Sequence, residues 1–219
     1  MNQDGPHLVL AGFFRSGTSH RVRIALNLKG LAYEYKPISL TKREHKQDSF
    51  LAVNPQGLVP VLMIDGRPLV QSPAILEWLE ETFPAPPLLP PAIGDRARVR
   101  AIAALIGCDI HPINNLRILT YLKSEFGADE NSVTAWCRHW IRAGFGALEI
   151  LLAGTTRHAG FCVGNSPTLA DCYLIPQIFS ARRFGVELDA FPAIRQIYDH
   201  CASLPAFASA QPDRQPDAA

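Results

Sequence analysis

The sequence lacks the features that mark membrane, secreted or nucleic-acid-binding proteins. No apolar stretch approaches the ~20 residues of a membrane span. The first residues, MNQDGPHLVLAGFF, lack the basic region and cleavage site of a signal peptide. Lysine and arginine are spread along the chain and the net charge is only +1, so no basic face is clustered for a nucleic acid. These absences predict a cytoplasmic protein without a membrane or nucleic-acid partner.

Cysteine is scarce and irregularly spaced. The chain has five cysteines, and no two of them have the spacing of a CxxC pair. This pattern favours neither a disulfide framework nor a zinc site, and we expect mostly buried thiols in a reducing compartment. Walker, GxSxG and HxxEH-type motifs are absent as well, which leaves P-loop, serine-triad and metal-hydrolase chemistry without support. We therefore expect no metal.

The proline-rich stretch PAPPLLPPA, residues 84–92, divides two regions of different pattern. Because proline stiffens a linker and cannot continue a helix, we predict domains at 1–83 and 93–219. The first region alternates strand and helix patterns: strand 7–14, helix 16–29, strand 33–40, an irregular helical piece 46–53, a hairpin 58–70 and helix 72–82. Asp65-Gly66 is a favoured hairpin turn. This order predicts a small α/β domain with a mixed sheet.

After the linker the strand patterns fade and the sequence predicts an all-α domain. Helical patterns cover residues 95–123, 132–152, 168–182 and 191–202. Pro112 should kink or break the first of them. Thr168 and Asp171 have the spacing of a capping box at the start of the third. The last residues, QPDRQPDAA, are expected to be loose.

The stretch RSGT, residues 15–18, stands where the first strand becomes a helix. Ser16 is a good N-cap, and a cap alone would explain one hydroxyl. It does not explain Thr18 close by or Arg15 beside it. A helix N-terminus stabilises an anion, and hydroxyl donors there would stabilise a thiolate or oxyanion further. From its position alone, this stretch is as consistent with a helix N-cap that has no further role as with an anion-binding site.

Two further pairs have a structural and a functional interpretation. Only ~5% of X-Pro bonds are cis, so trans is expected for Val59-Pro60; a cis bond would instead present the Val59 backbone to an extended peptide ligand. Ser72 is predicted as the N-cap of the helix 72–82, with Pro73 at its first position. In the functional interpretation, Ser72 and the helix amides hold a carboxylate, and Gln71 helps to bind an amino-acid head group.

The second half has two polar clusters. GCDIHPINN includes His111, Asn114 and Asn115, and His111 and Asn115 would share a helix face if the helix is regular there. A satisfied kink around Pro112 is the structural alternative. Arg182 and Arg183 end a predicted helix, where a cation interacts favourably with the helix dipole; for one of them we expect no further role.

In combination, RSGTSHRVRIAL, NPQGLVPVL, the Asp-Gly hairpin, LVQSPAILEWLEE and TLADCYLIPQ resemble the zeta class of glutathione transferases, over nearly the whole chain. Zeta-class proteins commonly carry Ser-Ser-Cys at the start of the first helix. Here Ser16 matches the catalytic serine, and Thr18 replaces the cysteine. RSGTSHR and GCDIHPINN are most similar to the bacterial maleylpyruvate isomerases of gentisate degradation, with the maleylacetoacetate isomerases of tyrosine breakdown as the alternative.

The resemblance implies a thioredoxin-like α/β N-terminal domain, an all-α C-terminal domain, glutathione as cofactor and a homodimer. It implies that Val59-Pro60 is cis and that Val59 pairs with the cysteinyl backbone of glutathione. It also implies that Gln71 and Ser72 hold the γ-glutamyl end, with His45 at the glycyl end.

The chemistry implied is glutathione-dependent cis–trans isomerisation of a dicarboxylate with a conjugated ketone. Ser16 and Thr18 would favour the thiolate. Because arginine binds carboxylates well, we expect Arg15 and Arg183 to clamp the substrate, with His111 and Asn115 completing the pocket. Arg183 is preferred to Arg182 because it precedes Phe184, as in the family's Arg-Phe pair. A general glutathione transferase and a non-catalytic glutathione-binding protein are the other hypotheses.

Overall fold

The computed structural model describes residues 5–154 and 160–218. The chain forms two compact units, one of Met1–Leu88 with Leu204–Ala219 and one of Leu89–Ser203. The C-terminal segment therefore belongs to the first unit by its contacts. The domain limits 1–83 and 93–219 stay a prediction.

A four-stranded mixed sheet forms the centre of the first unit. Its strands are β1 (Leu8–Gly12), β2 (Glu34–Pro37), β3 (Val61–Ile64) and β4 (Arg67–Val70). They lie in the order β2-β1-β3-β4, with β1 parallel to β2 and the other pairs antiparallel. Asp65 and Gly66 join β3 to β4 with φ of 48° and 78°, the positive values that a tight hairpin turn needs. The predicted mixed sheet and hairpin are confirmed.

Three helices accompany the sheet: α1 (Gly17–Leu28), α2 (Asp48–Leu51) and α3 (Ser72–Thr82). Helix α1 begins after the cap residue Ser16 and ends before Gly30, whose φ of 65° suits glycine. Val22, Ala25 and Leu26 are fully buried, and every residue from Ser19 to Leu26 is buried, so this stretch of the helix packs on all sides. The prediction that Ser72 is the N-cap of α3 was wrong, because Gln71 is the N-cap and Ser72 is the first helical residue.

The second unit is helical among its described residues. Its α-helices are α4 (Ile93–Ala104), α5 (Leu116–Phe126), α6 (Glu130–Ala153), α7 (Leu169–Arg183) and α8 (Pro192–Ala202). The predicted helix over 95–123 is interrupted, because a π-helical turn, Leu105–Ile110, and a 3₁₀ turn, Pro112–Asn114, separate α4 from α5. Pro112 lacks the N–H that would continue an α-helix, so the predicted break is confirmed.

The capping box of α7 is present. The Asp171 carboxylate accepts hydrogen bonds from the Thr168 amide at 2.8 Å and from the Cys162 amide at 2.8 Å. Burial raises the pKa of Asp171, while these hydrogen bonds act in the opposite direction. Four of the five cysteines are buried free thiols, and Cys108 is exposed.

The C-terminal segment packs on the first unit. It forms helix α9 (Pro205–Ala210) and a 3₁₀ turn, Pro212–Arg214. Helix α1 donates three hydrogen bonds to it: Arg23 Nε to the Ala210 carbonyl at 3.1 Å, and Asn27 Nδ2 to the Ala206 carbonyl and the Ser209 hydroxyl, both at 3.0 Å. The expectation of a loose tail was therefore wrong for residues 211–218, and Ala219 lies outside the described residues. None of the described helices is both long and apolar enough to cross a membrane.

Candidate active site

The amino end of α1 has unused hydrogen-bond donors. Ser16 has extended backbone angles, φ −69° and ψ 118°, and its Oγ accepts from the Ser19 amide at 3.2 Å. Within the described part of the chain, the amides of Gly17 and Thr18 have no hydrogen-bond partner. A plain cap thus accounts for one amide and leaves two N–H groups at the positive end of the helix dipole, available to an anion.

Three residues of the predicted site form one hydrogen-bonded chain. Ser16 Oγ lies 2.9 Å from Thr18 Oγ1, and Thr18 Oγ1 donates to the Val59 carbonyl at 2.9 Å. A hydroxyl has a single proton to donate. Because Thr18 gives its proton to Val59, Ser16 must be the donor in the Ser16–Thr18 bond. The Ser16 hydroxyl can therefore donate to a ligand only by turning away from Thr18.

The Val59-Pro60 peptide bond is cis. The trans bond expected from the residues alone was wrong, and the cis bond implied by the family resemblance is confirmed. Pro60 directly precedes β3 and is buried, while Val59 is half-buried. Val59 thus lies just before the start of β3, where its carbonyl accepts from the Thr18 hydroxyl at 2.9 Å.

Gln71 and Ser72 stand at the turn from β4 into α3. Gln71 has φ 71°, a value that non-glycine residues rarely adopt and that often marks a functional site. Its amide nitrogen donates to the Gln56 side chain. Ser72 is only 3% exposed, and its Oγ accepts from Arg21 Nη1 at 3.4 Å.

Arg21 is a residue that the sequence analysis missed. It is 2% exposed, and its contact with Ser72 brings a buried cation under the predicted γ-glutamyl subsite. A cation near that subsite would help to hold a carboxylate. An arginine within the pattern HRVRIAL gives no sign of burial, because its neighbours on the helix face depend on strands and helices distant in sequence.

His45 lies in a 3₁₀ turn, Glu44–Lys46, and is 8% exposed. Burial lowers its pKa, and the charges of Lys46 and Arg43 lower it further. Its Nδ1 has no hydrogen-bond partner within the described residues. The assignment of His45 to the glycyl end stays a prediction.

His111 and Asn115 do not share a regular helix face. His111 donates its amide to Ile106 five residues earlier at 2.9 Å, which is the π-helical pattern. Asn115 is extended, with ψ 147°, and caps α5 by accepting from the Arg117 amide at 3.2 Å. The predicted i, i+4 pairing was wrong because Pro112 lies between the two residues. Asn114 donates to the Ile110 carbonyl at 3.1 Å, so the kink satisfies part of this cluster.

The candidate arginines differ in their surroundings. Arg182 and Arg183 are both exposed at the end of α7. The guanidinium of Arg182 lies 4.0 Å from the centre of the Tyr198 ring, whereas that of Arg183 lies 5.2 Å from the Phe184 ring. Arg15 is exposed, 5.2 Å from the Phe14 ring. All three guanidinium groups lie within the roughly 6 Å range of a cation–π interaction, and that of Arg182 is the nearest to its ring. The clamp of Arg15 with Arg183 stays a prediction.

Two family models match the chain: "Glutathione S-transferase, N-terminal domain" over residues 15–82 and "Glutathione S-transferase, C-terminal domain" over residues 140–205. The chain belongs to the glutathione S-transferase family. Its predicted architecture, a thioredoxin-like α/β domain followed by an all-α domain, is the architecture of this family and is confirmed. The matched ranges include Arg15, Ser16 and Thr18 in the first model and Arg183 in the second.

Relatives of this glutathione transferase match it over almost their whole length. It is 57% identical to maleylpyruvate isomerase of Ralstonia, covering 96% of this chain and 99% of the relative. It is 50% identical to maleylacetoacetate isomerase of Pseudomonas aeruginosa, covering 94% and 96%. These identities, together with the solved structures below, confirm the predicted membership of the zeta class.

Two solved structures have the same fold. A holo structure of maleylpyruvate isomerase, described as a bacterial zeta-class glutathione transferase, superposes with a TM-score of 0.95 at 57% identity, covering 96% of this chain and 100% of that chain. Maleylacetoacetate isomerase from Anaeromyxobacter dehalogenans, with dicarboxyethyl glutathione and citrate in the active site, superposes with a TM-score of 0.87 at 43% identity, covering 99% of each chain.

Proposed function

We propose that this chain is a glutathione-dependent isomerase that converts maleylpyruvate to fumarylpyruvate in aromatic catabolism. The observation that carries the proposal is the hydrogen-bonded chain from Ser16 through Thr18 to the Val59 carbonyl, beside two open amides of α1. This hydrogen-bonded chain connects Ser16, where we expect the glutathione thiolate, with Val59, where we expect the cysteinyl backbone of glutathione. The 57% identity to a maleylpyruvate isomerase supports the choice of substrate.

The reaction begins with the glutathione thiolate. A free thiol has a pKa of about 8.5, so the enzyme must favour the ionised form at neutral pH. The thiolate adds to the cis carbon–carbon double bond, and the electron pair moves to the conjugated ketone to form an enolate. The former double bond is now single and rotates. When the enolate collapses, it expels the thiolate and leaves the trans isomer, so glutathione is regenerated.

The first unit supplies the groups for glutathione. The Ser16 hydroxyl, turned from Thr18 toward the sulfur, and the amides of α1 stabilise the thiolate. Val59 pairs with the cysteinyl backbone, because a cis bond before Pro60 leaves its amide and carbonyl able to pair with an extended peptide. Gln71 and Ser72 bind the γ-glutamyl end. His45 donates to or accepts from the glycyl end.

The substrate's carboxylates are bound by Arg15 and Arg183, whose planar guanidinium groups suit them. Arg183 is chosen over Arg182 because it precedes Phe184, which matches the Arg-Phe pair of the family. His111 and Asn115 complete the pocket and donate to the enolate oxygen. The related maleylacetoacetate isomerase that holds dicarboxyethyl glutathione supports a site for an adduct with two carboxylates.

Maleylacetoacetate is the second candidate substrate, supported by the 50% identity to the Pseudomonas aeruginosa isomerase. A side-by-side assay of both maleyl compounds, with and without glutathione, follows the loss of the conjugated cis chromophore. Faster, glutathione-dependent isomerisation of maleylpyruvate supports the proposal. A preference for maleylacetoacetate keeps the mechanism and changes the pathway. Conjugation of aryl halides without isomerisation of either substrate would overturn the proposal in favour of a general transferase.

Two further parts of the proposal are the cytoplasmic location and the homodimer. Sedimentation or light scattering of the purified protein tests the homodimer, and a monomer at assay concentration contradicts it.

A further inference from the structure

The C-terminal segment contacts the turn that carries the candidate catalytic residues. Asp217 Oδ2 accepts a hydrogen bond from the Phe14 amide at 3.0 Å and lies 3.4 Å from the Tyr35 hydroxyl, which donates to it. Phe14 follows β1 and stands two residues before Ser16. The side chain of Asp217, two residues before the last residue of the sequence, is thus bonded to the backbone that leads into the candidate active site.

The same turn is held from its other side by Arg23. The Phe14 carbonyl accepts from Arg23 Nη2 at 2.9 Å, and Nε of the same guanidinium donates to the Ala210 carbonyl at 3.1 Å. Arg23 is fully buried, and Asp217 acts electrostatically on it. The amide of Phe14 is therefore bound by Asp217 of the C-terminal segment, and its carbonyl is bound by Arg23, which also bonds to that segment.

The amide of Phe14 needs such a partner, because β1 ends at Gly12 and no ladder bond continues to it. The neighbouring backbone is also fixed by bonds outside the sheet: Ser19 Oγ accepts from the Phe13 amide at 3.4 Å, and the Phe13 carbonyl accepts from the Ser16 amide at 3.0 Å. Ionised acceptors form stronger bonds to amides than neutral ones. Asp217 is thus the strongest single acceptor on this turn.

We propose that residues 204–218 act as a positioning strap, in which Asp217 fixes the backbone of Phe14 and thereby aims Arg15 and Ser16 at glutathione and substrate. Asp217 is a positioning residue, since it acts through Phe14 and contacts no ligand itself. The inference rests on the proposed function for its effect on turnover. Its effect on the turn and on bound glutathione does not depend on which electrophile the enzyme uses.

A purely structural strap and a positioning strap predict different results. If Asp217 only stabilises the fold, its loss lowers the free energy of unfolding and leaves the bound thiol unchanged in the folded protein. If its charge acts through space, neutralising it removes a negative charge near the thiolate and lowers the pKa of the bound thiol. Positioning predicts the opposite sign, because a displaced Ser16 hydroxyl stabilises the thiolate less and the thiol pKa rises.

The experiment compares Asp217→Asn and Asp217→Ala with Asp213→Asn, an exposed aspartate of the same segment. Titration of bound glutathione, followed by the ultraviolet absorbance of its thiolate, gives the thiol pKa. We expect Asp217→Ala, which removes the acceptor, to raise it and to lower kcat about tenfold, since a misplacement of about 1 Å can cost about 100-fold. Asp217→Asn should have a smaller effect, because its side-chain oxygen can still accept from the Phe14 amide. The KM for glutathione should change less than kcat, and Asp213→Asn should match the wild type.

Amide hydrogen exchange keeps the proposal testable if glutathione binding or isomerase activity is not found. We expect Asp217→Ala to accelerate exchange at the hydrogen-bonded amides of Phe13, Phe14 and Ser16 while the central strands stay protected. Unchanged exchange at this turn, or a thiol pKa that stays constant or falls, would overturn the positioning role. A wild-type enzyme without isomerase activity but with these exchange results would contradict the proposed function and leave the strap supported.

Discussion

Removing the Ser16 hydroxyl is the most direct test of the active-site chemistry. Ser16→Ala deletes the cap that accepts from Ser19 at 3.2 Å and the donor that contacts Thr18 at 2.9 Å. Loss of an N-cap costs about 1 kcal/mol of stability. A hydrogen bond to a charged group contributes about 1.5 to 3 kcal/mol. One pKa unit corresponds to about 1.4 kcal/mol, so the pKa of bound glutathione should rise by about 1 to 2.

The assay separates these two effects. Thermal or urea unfolding of the free protein reports the cap, and the titration of bound thiolate reports the catalytic donor. For a bound wild-type thiol with a pKa of about 7, a rise of that size leaves about fivefold to 50-fold less thiolate at neutral pH, so kcat should fall by a similar factor, and raising the pH should restore part of it.

Thr18→Val is the matched control, because it removes a hydroxyl of the same pair and preserves the side-chain shape. The proton of Thr18 is donated to the Val59 carbonyl at 2.9 Å, so Thr18 is not the donor that faces the thiolate. Its loss should raise the thiol pKa less than Ser16→Ala does. An equal or larger rise in Thr18→Val would refute the assignment of the protons in this chain. An unchanged thiol pKa in Ser16→Ala would refute the role of Ser16.

Three further predictions concern stability. Burial, and to a smaller extent the charge of Arg23, lowers the pKa of His20 well below 6.5. The unfolded state therefore binds more protons than the folded state once the pH falls below about 6.5, and the free energy of unfolding decreases there. His20→Leu should flatten this pH dependence in thermal unfolding measured over a pH series. Lys29→Met breaks a buried pair with Glu80 at 2.8 Å and should cost about 3 to 5 kcal/mol in urea unfolding, with part recovered in the double variant Lys29→Met, Glu80→Leu. Asp171→Ala leaves two buried amides without an acceptor and should cost about 3 kcal/mol by the same method.

Each of these predictions has a contradicting result. An acid slope that persists in His20→Leu would assign it to other groups. A double variant no more stable than Lys29→Met alone would show that the buried Glu80 charge is not the source of the cost. Loss of less than about 1 kcal/mol in Asp171→Ala would mean that other acceptors replace the carboxylate.

Features governed by neighbouring residues could be predicted from the sequence. The Asp65-Gly66 hairpin, the start of α1 after Ser16, the break at Pro112 and the capping box of α7 each depend on a turn or a cap within a few residues. The motif order also identified the family. Local rules erred by one residue at α3, where the backbone at Gln71 adopts a positive φ that propensity does not favour.

Features governed by contacts between distant residues could not be predicted in this way. The isomer at Val59-Pro60 depends on a small energy difference that the surrounding fold decides, and only the family resemblance indicated cis. Arg21 and Arg23 are buried in a helix whose pattern gives no reason to bury cations. The bond from Asp217 to Phe14 spans 203 positions, so a polar, proline-containing tail gave no sign of its packing.

The proton assignment explains why a threonine suits position 18. A carbonyl oxygen has two lone pairs, and Thr18 uses one of those on Val59, which leaves one for the cysteinyl amide of glutathione. The same hydroxyl accepts from Ser16 until a thiolate arrives. In the proposed mechanism, Thr18 would therefore connect the segment expected to bind the sulfur with the segment expected to bind the peptide backbone. A cysteine thiol is a weak donor and acceptor, so the zeta-class cysteine would connect these segments less firmly, whereas the Thr18 hydroxyl donates to the Val59 carbonyl at 2.9 Å.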